Sequence, residues 1–200
     1  MTETQAPLIH AASFDYQSDR DVEAVTLLFA DYLLEGLDRL GHFPSGMPIA
    51  NWLNTVVLYV DGIPAGFCAA DLTRYAVELI YVAPAYRRKG IAHRLLVDLR
   101  DSCPEQMRIK APLSPGCQAL AEQLGIPVSA PTAEEEAKGE QAVAELHETI
   151  RRHCKHPRKG SPQRPCRRCY RALLRRMALA MVTDPCLALR QANRLLGQAS

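Results

Sequence analysis

Residues 81–96 read YVAPAYRRKGIAHRLL, and this stretch decides how the rest of the chain is interpreted. An apolar run ends at Pro84, three consecutive cations follow at 87–89, and Gly90 precedes apolar residues at helical spacing. A helix N-terminus already carries partial positive charge, so three more cations are unfavourable there unless an anion binds. Its unpaired backbone N–H groups, beside a glycine that permits close approach, can bind phosphate. The residues alone leave a second interpretation open, a solvated basic turn before an ordinary amphipathic helix.

The segments around this turn predict a mixed α/β domain with a central mixed sheet flanked by helices. Asp61-Gly62 lies between two β-rich runs, which is a strong signal for a two-residue hairpin. The run 76–82 is apolar on both faces, as expected for a central strand. Apolar periodicity and turn residues predict strands at 8–13, 55–60, 63–72, 76–82 and 106–113, and helices at 19–40, 90–100 and 114–125.

The six residues Arg87-Arg88-Lys89-Gly90-Ile91-Ala92 resemble the Arg/Gln-x-x-Gly-x-Gly/Ala signature of the GNAT superfamily of N-acetyltransferases. The order of the surrounding elements is similar too, from the hairpin through the strand and basic turn to SPGCQALAEQLGI (114–126). The resemblance covers roughly residues 8–128. It implies a GNAT-type acyl-CoA N-acyltransferase fold, with a C-terminal extension that the family does not share.

This resemblance implies acetyl transfer from acetyl-CoA to a primary amine of a protein or small molecule. Main-chain N–H groups of residues 87–92 would hold the pyrophosphate, and a strand bulge near Tyr81 and Val82 would free N–H groups that polarise the thioester carbonyl. The implied acetyl-CoA contacts are Ile80, Tyr81, Val82, Arg87, Arg88, Lys89, Gly90, Ile91 and Ala92.

Glu78 is the candidate catalytic base. It lies four residues before Val82, where many members of the family carry a glutamate, and a carboxylate in an apolar central strand is costly unless it is paired or used. We expect it to take a proton from the amine, through a water molecule. The alternatives are that Glu78 points into a solvated groove or pairs with Arg74.

One difference from the family concerns the residue that protonates the CoA thiolate as it leaves. The family often places a tyrosine in the helix after the fifth strand, but Ala121 stands at the aligned position and residues 102–128 contain no tyrosine. Three explanations remain open. The thiolate leaves unassisted, another group such as Ser114, Cys117 or the second catalytic candidate Tyr81 donates the proton, or the fold binds the coenzyme without catalysis.

Composition and charge divide the chain near residue 130. Hydrophobic residues make up 48% of the 200, enough to form a core, and no apolar run has the length of a membrane span. We therefore predict an acetyltransferase domain at 1–130 and a helical, basic extension at 131–200. No secretory signal is recognisable near the N-terminus, so a cytoplasmic location is expected. The oligomeric state is not determined, and a dimer is one option.

The extension contains four residues with the spacing of a zinc site. Cys154-x-His156 and Cys166-x-x-Cys169 are separated by nine residues, which suits tetrahedral zinc. The loop between the two pairs has almost no apolar residues, so a metal would supply free energy that burial cannot. His153 is a rival to His156, and a mobile basic loop with incidental thiols is the alternative.

Charge is distributed unevenly along the chain. Residues 151–200 carry 13 Lys and Arg against one acid, a net charge of +12, whereas residues 1–150 carry 11 against 21, a net of −10. The basic segment 151–176 predicts contact with nucleic acid or an acidic protein, or docking onto the acidic body of the chain. Two alternatives to the amine acetyltransferase therefore remain: a noncatalytic CoA-fold module with a binding tail, and a related transferase that modifies a nucleic-acid base.

Overall fold

The fold is seen in a computed structural model of the chain. It describes residues 8–15, 17–40, 54–71, 75–101, 106–134 and 167–183, with scattered helical residues from 136 to 152. The helices are α1 (Asp19–Leu40), α2 (Ile91–Asp101), α3 (Pro115–Gln123) and α4 (Arg167–Thr183). The strands are β1 (Ile9–Ser13), β2 (Thr55–Val60), β3 (Ile63–Asp71), β4 (Ala76–Val82), β5 (Arg108–Lys110) and β6 (Val128–Ser129).

The six strands form one mixed sheet in the order β1-β2-β3-β4-β5-β6. The pairs from β1 to β4 are antiparallel, and β4, β5 and β6 run parallel. The predicted hairpin joins β2 to β3, with Asp61 at φ 52° and Gly62 at φ 77°. These two positive φ values are those of the tight turn that matches strand twist. The predicted fold class is confirmed, because helices cover a mixed sheet on both faces.

Each face of the sheet has its own hydrophobic core. On one face α1 packs over residues that include Val57, Phe67 and Leu79, all at most 1% exposed. On the other face α2 and α3 cover Leu58, Val77 and other apolar side chains. Successive side chains along the central strands point to opposite faces of the sheet, so the same strands supply residues to both cores.

Helix α1 is itself covered on its outer side by α4. Leu174, Ala178 and Val182 of α4 are at most 5% exposed and belong to the same core as Phe29 and Leu33 of α1. The spacing of four residues places them on one face of the helix. Docking of this basic helix onto the body therefore uses apolar contacts. The division of the chain at residue 130 stays a prediction.

Three local predictions differ from the structure or lie outside it. The strand predicted at 106–113 is only Arg108–Lys110, because its partner β4 runs beside it for just two residues. The bulge predicted near Tyr81 and Val82 was wrong: the register with β3 shifts between Ala69 and Ala70, which leaves Glu78 as the extra residue. Described residues between 133 and 152 are helical, as predicted for the extension, and residues 184–200 lie outside the described residues.

No helix in the described parts of the chain combines the length and the apolar character needed to cross a membrane.

Candidate functional site

A groove of about 680 Å³ lies between β4 and β5. These strands pair only at Ala76 with Arg108 and Val77 with Ile109, and then separate. Side chains of α1, α3, the turn after β4 and the first turn of α2 complete the walls. The groove that opens where the two strands separate therefore extends from the sheet to the N-terminus of α2.

The separation exposes backbone donors of β4. Ala83 N–H donates to Ala65 O on β3 at 2.9 Å, and N–H groups alternate in direction along an antiparallel strand. The N–H groups of Val82 and Ile80 therefore point away from β3, toward the side on which β5 has departed. Both residues line the groove. The free N–H groups that were expected from a bulge arise here from the divergence of two strands.

The turn after β4 can accommodate an anion. Arg88 has φ 59° and Gly90 has φ 76°, so the backbone takes left-handed conformations on each side of Lys89. A Cβ built on Gly90 would meet no atom within 4 Å, which shows that the space in front of this residue is open. Helix α2 begins at Ile91 and has no acidic residue in its first turn. These features fit a pyrophosphate, because the N–H groups at the helix start have room and no competing charge.

The three cations of the turn have different surroundings. Arg87 Nη2 lies 2.5 Å from Glu35 Oε2 of α1, and its Nε donates to Val82 O at 2.9 Å. The hydrogen bond from Arg87 to Glu35 raises the pKa of Arg87. Lys89 Nζ lies 5.3 Å from the centre of the Tyr86 ring. Arg88 makes no ion pair with another described residue and lines the groove, so it is the cation available to a ligand.

Glu78, the predicted base, lies in the groove at the point where β4 and β5 part. Its Oε2 accepts a hydrogen bond from Lys110 Nζ at 2.7 Å, and the side chains are 10% and 11% exposed respectively. The sequence suggested Arg74 as a partner, but Arg74 lies outside the described residues. The cost of burying this carboxylate is offset by Lys110.

Tyr81, the other catalytic candidate, lines the groove but is only 7% exposed. Burial is the main cause that raises the pKa of Tyr81 to about 12, followed by the nearby charges of Glu35 and Asp31. Its ring also lies under the Arg87 guanidinium, at 5.5 Å. Tyr81 thus packs between the sheet and α1, and its role as a proton donor stays a prediction.

Sequence reasoning did not identify Tyr32, which lies on the apolar face of α1, as a residue of the site. Tyr32 lines the groove together with Glu78 and Cys117, and its ring is held against Tyr81 and Phe29 at centroid distances of 6.0 and 6.2 Å. Burial raises the pKa of Tyr32, so its hydroxyl stays protonated at neutral pH. A tyrosine among aliphatic residues on a helix face was the available signal.

The model of the GNAT acetyltransferase domain family matches residues 47–143. The match contains the diverging strands, the turn at 87–90 and the start of α2. This chain contains a GNAT acetyltransferase domain. A comparison with curated protein sequences found no match.

Solved structures similar to the chain are also N-acetyltransferases or carry acetyl-CoA. The aminoglycoside N-acetyltransferase AAC(6′)-Iy in complex with CoA is 17% identical, with a TM-score of 0.41, over 62% of this chain and 91% of that one. The yncA protein of Salmonella typhimurium, with its cofactor acetyl-CoA, is 20% identical, with a TM-score of 0.40, over 58% and 78%. A ribosomal-protein-alanine N-acetyltransferase from Brucella melitensis biovar Abortus is 18% identical, with a TM-score of 0.32, over 78% and 98%.

Within the GNAT domain, α3 contains no tyrosine, and Ala121 is fully buried outside the groove. Two proton donors suggested by the sequence do line the groove. Ser114 Oγ caps α3 by accepting a hydrogen bond from Cys117 N–H at 3.3 Å. Burial raises the pKa of the Cys117 thiol to about 11. Tyr32 also lines the groove, and its hydroxyl makes no hydrogen bond with another described residue.

The predicted zinc ligands lie beyond the GNAT domain. Cys154, His156 and Cys166 are outside the described residues. Cys169 lies in α4 and is half-buried against the core that this helix covers. Over the described ranges no three His, Cys, Asp or Glu side chains are grouped closely enough to hold a metal ion. The zinc site therefore stays a prediction that the described residues do not support.

Proposed function

We propose that this chain transfers an acetyl group from acetyl-CoA to a primary amine of a protein or small molecule. One observation carries the proposal: a single groove joins the N-terminus of α2, the open backbone edge of β4 and Glu78. A phosphate site, hydrogen-bond donors for a carbonyl and a carboxylate are the parts that acyl transfer from a CoA thioester requires. Their presence in one groove supports the proposal more than any one of them alone.

Binding rests on the turn and the first residues of α2. The N–H groups of Gly90, Ile91 and Ala92 would hold the pyrophosphate, assisted by the helix dipole. Arg88 would add a charge-assisted hydrogen bond. Arg87 would act indirectly, because Glu35 and Val82 already occupy its guanidinium and hold the turn against α1. Lys89 would contribute long-range attraction to the anion.

When bound, acetyl-CoA supplies an acyl carbon activated as a thioester. The N–H groups of Ile80 and Val82 would donate to a carbonyl oxygen in the groove as it gains negative charge. An amine attacks only when its nitrogen has a lone pair, so a base must remove a proton. Glu78 would accept that proton, directly or through a water molecule.

Tyr32 would donate a proton to the departing sulfur, in place of the tyrosine that α3 lacks. A thiolate of ordinary pKa, about 8.5, is a fair leaving group without help, so the expected contribution is smaller than that of the base. The proposed donor must be protonated before the reaction. A tyrosine hydroxyl, whose ordinary pKa is about 10, meets this condition at neutral pH.

The decisive experiment measures CoA release over a panel of amines that includes peptides with free N-termini, lysine peptides, polyamines and aminoglycosides. We expect Glu78→Gln to lower kcat by a factor of about 10² to 10⁴. Acetyl-CoA binding, followed by calorimetry, should persist in this variant. The matched control is Glu122→Gln, because Glu122 is an exposed carboxylate of α3 outside the groove.

A second pair of variants tests the binding site. Arg88→Gln should weaken acetyl-CoA binding about ten-fold, the usual effect of losing one hydrogen bond to a charged group. Arg100→Gln removes the same charge from the far end of α2 and should leave binding unchanged. Equal effects of the two substitutions would argue against a site at the N-terminus of α2.

The alternatives predict different results in the same assays. A noncatalytic module would bind acetyl-CoA with no turnover on any amine, and Glu78→Gln would then have no effect. A transferase acting on a nucleic-acid base would release CoA with RNA or DNA and not with amines. Retention on nucleic acid that falls with salt would indicate contact through the basic segment 151–176.

A further inference from the structure

The ion pair of Glu78 with Lys110 occupies a distinctive place in the sheet. The parallel ladder between β4 and β5 ends at the pair of Val77 with Ile109, and the next residue on each strand is Glu78 or Lys110. The backbones separate there, and the two side chains bridge the strands at 2.7 Å. The pair therefore lies at the inner end of the groove, where the split in the sheet begins.

Stability alone does not account for two charges at this position. Each side chain is about nine-tenths buried, and withdrawing a charge from water costs several kcal/mol even when a partner is present. Packed apolar residues of similar volume are often equally stable or more stable. Val77 and Ile109, one residue earlier on each strand, form such an apolar pair and are 1% exposed. The change from apolar to charged residues coincides with the start of the groove.

Lys110 is the cation that contacts Glu78. Of the other cationic side chains that line the groove, Arg87 is bound to Glu35, and Arg39 and Arg88 make no described ion pair with Glu78. The hydrogen bond that Lys110 donates to Glu78 is accepted by one carboxylate oxygen, Oε2. No described residue donates a hydrogen bond to the other oxygen, Oε1. One oxygen is thus held by Lys110, and Glu78 lines the groove.

We propose that Lys110 is a positioning residue, which holds the Glu78 carboxylate in one rotamer with Oε1 directed at the incoming amine. The inference rests on the proposed function of Glu78. The amine nitrogen loses a proton to Oε1 as its bond to the acyl carbon forms, while Lys110 keeps its own protons and its contact with Oε2. Lys110 forms no bond to either substrate, so its whole effect on the reaction passes through Glu78.

A double-mutant cycle tests this dependence. The four proteins are the wild type, Lys110→Met, Glu78→Gln and the double variant, assayed with the best amine of the panel. Lys110→Met should lower kcat by up to about 10²-fold, the scale of a displaced catalytic group, with the KM for acetyl-CoA unchanged. In the Glu78→Gln background the same substitution should lower kcat by less than about two-fold, because there is no base left to position. Lys110→Arg should recover part of the rate.

Folding and binding controls keep the result interpretable. Lys110→Met leaves a buried carboxylate unpaired and costs stability, whereas the double variant removes both charges and should fold. Where Lys110→Met does not fold, the cycle is run with Lys110→Arg, which keeps the charge, and a loss of kcat that is confined to the Glu78 background again supports the proposal. Calorimetry should give the same affinity for CoA in every folded variant, since Lys110 lies away from the phosphate site.

Two results would overturn the proposal. Equal losses of kcat from Lys110→Met in both backgrounds, or no loss in either, would show that Lys110 does not act through Glu78. A wild type that binds CoA but acetylates no amine would instead remove the proposed function, and the positioning role would end with it. The first result leaves turnover by the wild type intact, so the two failures are distinguishable.

Discussion

The sheet has a closed half and an open half. Strands β2 and β3 pair at six positions from Thr55 to Val60, whereas β4 and β5 pair at two and then part. In the closed half the backbone groups are satisfied by neighbouring strands, and side chains such as Phe67 are fully buried. In the open half, backbone donors and a charged pair face a groove. Stability is concentrated where pairing is continuous, and the candidate chemistry is concentrated where pairing ends.

The largest expected effect on stability comes from the closed half. Phe67 is fully buried and meets Phe29 edge-to-face at 6.5 Å, so Phe67→Ala should lower the free energy of unfolding by about 3–5 kcal/mol. Urea denaturation measures this change. The control is Ile63→Ala on the same strand, because Ile63 is 56% exposed and should change stability by no more than about 0.5 kcal/mol. A loss below about 1 kcal/mol for Phe67→Ala would break the comparison.

A smaller effect is expected at Gly66, where the closed half meets the strand that borders the groove. A Cβ added to Gly66 would lie 2.7 Å from the Tyr81 carbonyl oxygen, so Gly66→Ala should cost about 1–3 kcal/mol through overpacking. Gly116 in α3 has open space around the same position, and Gly116→Ala should be neutral or stabilising by up to about 1 kcal/mol. Thermal unfolding of the two variants makes the comparison, and equal losses would refute it.

The smallest effect concerns a thiol in the open half. Burial raises the pKa of Cys117 to about 11, so the uncharged thiol is favoured in the folded chain. Stability from this shift is present below the pKa of the unfolded thiol and is lost as pH rises toward 11. Alkylation of Cys117 in the folded protein at pH 8 to 9 should therefore be much slower than in the chain unfolded by urea, because the thiolate is the nucleophile. Peptide mass spectrometry resolves this residue, and equal rates would show an exposed, unperturbed thiol.

The sequence was most informative where structure depends on neighbouring residues. The hairpin at Asp61-Gly62 needs only two residues with positive φ, and α1 was predicted with its observed ends, Asp19 and Leu40, from apolar periodicity. Ser18 caps the start of α1, since Asp21 N–H donates to Ser18 Oγ at 3.3 Å. Such signals depend only on nearby residues, so they can be recognised in the sequence without knowledge of the tertiary fold.

The details of the site depended on contacts between distant segments. Lys110 is 32 residues from Glu78 and becomes its partner only because β5 lies beside β4. The length of β5 was overestimated because the strand ends where β4 diverges from it, and the sequence of β5 alone does not indicate that position. Tyr32 was missed because its position on α1 has the same periodicity as its buried neighbours. Only the position of the split in the sheet distinguishes a residue that faces the groove from one that faces the core.

The packing of α4 on α1 has a practical consequence for anyone who would shorten this protein. The family match spans 47–143, and a chain cut to those bounds would lose α1, α4 and the edge strand β1 together. A truncation that removed α4 alone would expose the apolar face of α1 that packs against Leu174, Ala178 and Val182. Truncated chains of either kind should aggregate during expression. Helix α4 should therefore be kept in any protein prepared for enzyme assays.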